Sequence, residues 1–218
     1  MIEVIYLTLK QISRCRIEFG VNVLFFLLVV SIFGIALGTR LSPMQGVGVI
    51  WAGVLLSTLL SAEKLYHAEF HHGMLHQILL SPTPLSILLF FKIVVHWIGT
   101  GLPLLLLMPL ISVLLGIPSH LFPMLFLTLL LGTQIFSAVG SLGALLTLGL
   151  PRAGLLLSVV LLPLYFPTLT LGMSVVDNVA AGLSFSGSLS WLGVLWCVTQ
   201  LSAPWLSAAI LKVYLRNA

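Results

Sequence analysis

The sequence predicts an all-α integral membrane protein, six transmembrane helices preceded by an amphipathic helix at the membrane surface. Three observations carry that prediction. Of its 218 residues 60% are hydrophobic and 6% charged, whereas a soluble domain has roughly a quarter of its residues charged. The apolar residues gather into six runs, each near or above the roughly 20 residues that a helix needs to cross a hydrocarbon core about 30 Å thick. None of the runs alternates apolar with polar residues, which is the pattern of a barrel strand.

In chain order, Ile2, Ile5, Tyr6, Leu9, Ile12 and Phe19 recur at helical spacing among Glu3, Lys10, Gln11, Arg14 and Glu18. This predicts an interfacial helix over residues 1–20 with its basic side chains near anionic lipid. The apolar run that follows, Val21 to Gly38, is too long for the core of a signal peptide and is expected to stay as the first span. The second span, Gly46 to Ala62, follows a tight turn, TRLSPMQ. The third, Ser86 to Gly116, exceeds a straight minimal span, and a tilt or a bend at Gly99, Gly101, Pro103 or Pro109 absorbs the excess. Thr83 is placed to cap it, with Pro84 at its first helical position.

The fourth span, Leu121 to Leu148, sets Gly132, Gly140 and Gly143 with Ser137 and Ser141 near helical spacing, which predicts close helix contact rather than a pore lining. The fifth runs from Leu155 to Val176, with Pro163 and Pro167 as kink points. A polar loop, Asp177 to Ser190, precedes the sixth span, Trp191 to Leu211. Cys15 and Cys197 lie far apart and imply no disulfide framework. The whole of residues 1–218 reads as one transmembrane domain.

Basic residues orient it. With a cytoplasmic N-terminus, Lys10, Arg14, Arg16, Lys64, Lys92, Arg152, Lys212 and Arg216 lie inside, and only Arg40 lies outside. Both termini are then cytoplasmic, as is the one long polar interruption, residues 61–84, which holds four of the six histidines. The net charge of +4 is therefore read as topology and gives no reason to expect nucleic acid as a partner.

Little in the chain carries chemistry. No phosphate-binding G-x-x-x-x-G-K-[ST] run occurs, so no nucleotide is expected here and the chain is read as non-enzymatic. Lys92 and His96 share a helix face at membrane depth beside Trp97. Lys92 is expected to snorkel to the inner boundary, and His96 to hydrogen-bond a neighbouring helix rather than ligate a metal or a porphyrin iron. His67-x-x-x-His71 and His72-x-x-x-His76 have a metal-compatible spacing, but Gly73 interrupts the second pair and no cysteine accompanies either, so no metal site is expected. With Tyr66, Phe70, Leu75, Ile78 and Leu79 as an apolar face, the segment predicts a helix from the second span to Phe70, a break at Gly73 and a surface helix from Met74 to Leu80.

The runs WAGVLLSTLLSAEKL, HGMLHQILLSPTPL, KIVVHWIGTGLPL, PLISVLLG and LTLLLGT resemble the haem exporter protein B family of cytochrome c maturation. The resemblance covers Ile50 to Pro163 and is strongest at Lys92, His96-Trp97 and Gly101-Leu102-Pro103. It implies an ABC-2 exporter-like fold in the bacterial inner membrane. It also implies a separate ATP-binding subunit, two copies of each, acting with a haem-handling membrane subunit and a periplasmic haem chaperone.

By that resemblance the residues that meet the ATPase are Glu69, His72, Gly73, Leu75, His76, Gln77, Ser81 and Pro82. One departure is that A-E-F-H-H-G-M-L-H-Q-I replaces an expected acidic pattern, D-D-L-x-D-G-x-L-E-Q-L, so His72 and His76 stand where carboxylates are usual. No cofactor is expected to be held firmly. Haem is expected at most as a transient contact, with His96 and His120 as the candidates, whether the ATP-driven step exports haem or releases the haem-loaded chaperone. The competing readings are a stand-alone secondary carrier, disfavoured by the lack of intramembrane acids, and a non-transporting scaffold.

Overall fold

The structure, a computed structural model, describes residues 2–38, 42–71, 83–150 and 153–217. Among these there are seven α-helices: α1 (Ile2–Leu37), α2 (Pro43–Lys64), α3 (His67–His71), α4 (Leu85–Leu114), α5 (Phe122–Leu146), α6 (Ala153–Ala180) and α7 (Ser186–Asn217). A 3₁₀ turn, Ser119–Leu121, leads into α5. Six of the helices are long and apolar enough to cross a membrane. The six expected spans are all present, each within a few residues of its expected limits.

α5 and α2 form the centre. Of their apolar windows 56% is buried, against 22% for α1 and α6, which therefore turn most of their surface outward. α5 touches α2, α4, α6 and α7, and its small residues explain why it can. A Cβ added at Gly143 would fall 2.7 Å from Leu161 of α6, and one at Gly140 would fall 2.9 Å from the Tyr165 hydroxyl and 3.1 Å from Ala62 of α2. Glycine there lets neighbouring helices seat large side chains against bare backbone. The expected small-residue contact face is thus observed.

Trp51 of α2 occupies the tightest of these seats. Its indole lies between Gly132 of α5 and Gly172 of α6, where added Cβ atoms would come within 2.6 Å and 2.1 Å of the ring. It meets Phe136 edge to face at 6.2 Å, and Phe136 packs on Tyr165 at 4.4 Å. Tyr165 in turn donates its hydroxyl to the Phe136 carbonyl at 2.8 Å. This apolar layer holds α2, α5 and α6 together.

Several local expectations are corrected. The expected interfacial segment and the first span form one helix, since α1 runs unbroken through Gly20; one glycine costs a helix only about 1 kcal/mol. At 1.5 Å per residue α1 is roughly 54 Å long, so it projects well beyond a hydrocarbon core. The TRLSPMQ segment is in part a helix start, because Ser42 and Gln45 form a capping box with Pro43 in the first turn of α2. S-P-x-Q carries that signal in the sequence. Pro84, expected inside α4, is its N-cap residue instead, and the first helical residue is Leu85.

The polar loop expected over Asp177 to Ser190 is mostly helical. α6 continues to Ala180 and α7 begins at Ser186, leaving five residues between them. Gly182 ends α6 in the left-handed region (φ +69), with Leu183 N–H donating to the Asn178 carbonyl at 2.8 Å and Gly182 N–H to that of Val179 at 3.2 Å. This is a Schellman ending, which only a residue free to take positive φ supplies without strain. Ser188 reaches back to Ser174 at 3.0 Å, so the serines that suggested a loop instead join two helix ends.

Candidate functional site

Where α2 ends and α4 begins, polar side chains converge inside the apolar bundle. α2 does not continue to Phe70 as expected. It stops at Lys64, and after a turn at residues 65–66 the chain resumes as the five-residue α3. That turn buries Tyr66 and directs Glu69 inward, where it is 6% exposed.

Lys92, eight residues into α4, forms an ion pair with Glu69. Its ammonium also lies 4.5 Å from the centroid of the Tyr66 ring, an attractive cation–π distance. Lys92, expected to snorkel to the inner boundary, thus reaches the carboxylate and the ring held at the α2–α3 turn. The Glu69 carboxylate is turned into the protein, where it supplies the opposite charge that a buried ammonium requires. Breaking such a pair by removing one member costs about 3–5 kcal/mol, since the other is left charged and unpaired.

From Tyr66 the polar contacts continue inward. Its hydroxyl lies 2.7 Å from that of Ser141 in α5, which is 3.4 Å from that of Ser207 in α7. Burial pushes the Tyr66 phenol well above its ordinary value, the Glu69 charge adding to the shift and the Ser141 bond opposing it. Tyr66 therefore stays a neutral O–H donor at any physiological pH.

One turn beyond Lys92 on α4, His96 is buried between two hydroxyls. Nε2 lies 3.0 Å from Ser61 Oγ of α2, and Nδ1 lies 3.2 Å from Ser137 Oγ of α5. A neutral imidazole has one donor and one acceptor nitrogen, so both are satisfied whichever tautomer is present. An iron ligand drawn from this ring would first have to displace a serine. Trp97 donates to Thr133 Oγ1 of α5 at 3.0 Å, and Gly101 leaves room for its indole.

Thr133, Ser137 and Ser141 thus form a hydroxyl stripe at four-residue spacing on α5, facing Trp97, His96 and the Tyr66–Lys92 contact in turn. Sequence reasoning found the α4 side of this ladder but read the α5 side only as small residues. The signal was present: three hydroxyls at i, i+4 and i+8 in an otherwise apolar span lie on one helix face.

Of the residues singled out from the sequence, Glu69, Lys92, His96 and Trp97 are brought together. His72, Gly73, Leu75, His76, Gln77, Ser81 and Pro82 lie outside the described residues, as do the expected break at Gly73 and the helix from Met74 to Leu80. His120 is exposed in the 3₁₀ turn at the opposite end of the bundle. Eighteen residues of α4 separate His96 from Leu114, roughly 27 Å along the axis, so the two candidate haem contacts do not belong to one site. Among the described residues no group of three or more His, Cys, Asp or Glu is placed to hold a metal.

Comparison with known proteins bears on what this arrangement serves. The family profile described as CcmB protein matches residues 1–214. The chain is 41% identical to the heme exporter protein B of Pseudomonas aeruginosa, over 94% of this chain and 92% of that protein. It is 40% identical to that of Rhodobacter capsulatus, over 95% and 96%, and 36% identical to that of Haemophilus influenzae, over 99% of both.

Proposed function

The chain belongs to the CcmB protein family, and from that premise we propose that it is the membrane permease subunit of an ABC-type complex serving c-type cytochrome biogenesis. It sits in the bacterial inner membrane with both termini in the cytoplasm. A separate subunit hydrolyses ATP, with two copies of each chain in the complex. The work done is haem export or release of a haem-loaded periplasmic chaperone, in company with a haem-handling membrane subunit.

The observation that carries this reading is similarity to heme exporter proteins B along nearly the whole chain. Two features of the chain support it. The absence of a phosphate-binding loop from the sequence requires ATP chemistry to come from a partner. The one long polar interruption of the sequence, residues 61–84, is where such a partner would act.

The test is purification of the tagged chain from bacterial membranes, followed by reconstitution in sealed vesicles. Co-purification of an ATP-binding subunit, together with ATP-dependent haem movement or chaperone release, is the expected result. An intact haem-transfer assembly whose haem and chaperone are indifferent to ATP would overturn it in favour of a scaffold.

A further inference from the structure

We propose that the Glu69–Lys92 ion pair is the tie through which displacement of the α3 segment is delivered to α4, which makes both side chains positioning residues for coupling. This rests on the permease reading above and deepens it. A partner acting on residues 61–84 can move the bundle only through what joins that loop to the spans. The backbone is one route, through the turn at residues 65–66 to α2 and through Pro84 to the start of α4. Side chains are the other: Phe70 of α3 meets Tyr214 of α7 edge to face, and the ion pair joins α3 to a point about two turns inside α4.

Among these side-chain contacts the ion pair is the least yielding. Both partners are largely buried, their side chains 13% and 8% exposed for Lys92 and Glu69 respectively. In such surroundings separating the charges is steeply unfavourable, so α3 and α4 move together or the pair breaks outright. The Tyr66 ring beneath Lys92 and its hydroxyl on Ser141 extend the tie to α5, and Ser207 extends it to α7. Three spans thereby meet residues 66–69 through side chains of defined geometry. Interfaces of this kind switch between arrangements and do not deform continuously.

The experiment compares the double variant Glu69→Gln/Lys92→Met, the single variants Glu69→Lys and Lys92→Glu, and the charge swap that combines those two. The neutral pair removes the tie without stranding a charge, so the complex is expected to assemble with the ATP-binding subunit. Holocytochrome c produced per ATP hydrolysed is the readout, and it should fall about tenfold or more in the neutral pair and in each single variant. The swap should recover most of it. A neutral pair with the wild-type ratio would overturn the proposal, as would a swap no better than its parents. Loss of the assembled complex in the neutral pair would also overturn it, by assigning the pair to stability. If the wild-type chain binds no ATP-binding subunit, it is the permease reading that fails.

Discussion

At Trp51 a large side chain is seated where two other helices present bare backbone, yet its indole nitrogen has no hydrogen-bond partner. Thr168 of α6, fully buried, has an unpartnered hydroxyl as well. An unsatisfied buried polar group costs about 1–3 kcal/mol, so Thr168→Val, nearly the same shape, should leave the melting temperature of the purified protein unchanged or raise it. Gly172→Ala is the opposite case. Its Cβ would fall 2.1 Å from Trp51, and overpacking of this kind costs about 1–3 kcal/mol or more. Gly193→Ala, where nothing lies within 4 Å, should be silent in the same melt. His96 allows a chemical distinction. His96→Gln keeps a donor and an acceptor between Ser61 and Ser137 and should leave both the melt and any haem-dependent absorbance of the complex as they are. His96→Leu leaves both serine hydroxyls unpartnered and should destabilise by about 1–3 kcal/mol per hydroxyl. Loss of absorbance in an intact His96→Gln complex would assign the ring to iron.

Among the elements, the spans were legible in the sequence and their neighbours were not. Composition and run length locate a helix such as α4 to within a residue or two, because lipid demands continuous apolar surface. They do not say which helix will face it. Lys92 and His96 could be placed on one face from their spacing alone, but Ser61, Glu69, Ser137 and Ser141 join them only through tertiary packing. α3 was missed for a related reason: the turn at residues 65–66 carries neither glycine nor proline, and burial of Tyr66 and Glu69 outweighs the local preference to continue the helix. The segment after α3 keeps its apolar positions Leu75, Ile78 and Leu79. If these dock in a groove on the ATP-binding subunit, Leu75→Asp should leave membrane insertion intact and reduce holocytochrome yield about tenfold. Normal yield would dismiss the docking. Comparing this variant with Glu69→Gln/Lys92→Met separates loss of contact with the partner, read by co-purification, from loss of transmission inside the chain.

Across the whole molecule, the two ends of the bundle differ in kind. One gathers the ion pair and the polar ladder, while the other closes with short connections at Gly116 and Gly182, both at positive φ. In the topology proposed above, the first end faces the cytoplasm. A cysteine in place of Ser184, in the five-residue link between α6 and α7, should then react with a membrane-impermeant maleimide from the periplasmic side, and a fluorescent protein fused after Ala218 should be bright. Labelling of Ser184→Cys only after the inner face is opened would reverse the topology. The central place of α5 also bears on how the protein is made. The ribosome delivers α5 before α6 and α7, the helices that cover Gly140, Gly143 and Ser141. Until those two arrive, the face of α5 that carries Gly140 and Gly143 lacks its large side-chain partners, although Tyr66, just after α2, and α4 already meet its hydroxyls. A chain that stops after Leu150 should therefore be inserted and then removed by membrane proteases, while one that also carries α6 and α7 persists. Completion of the last two helices is thus the step at which the newborn protein becomes safe from degradation.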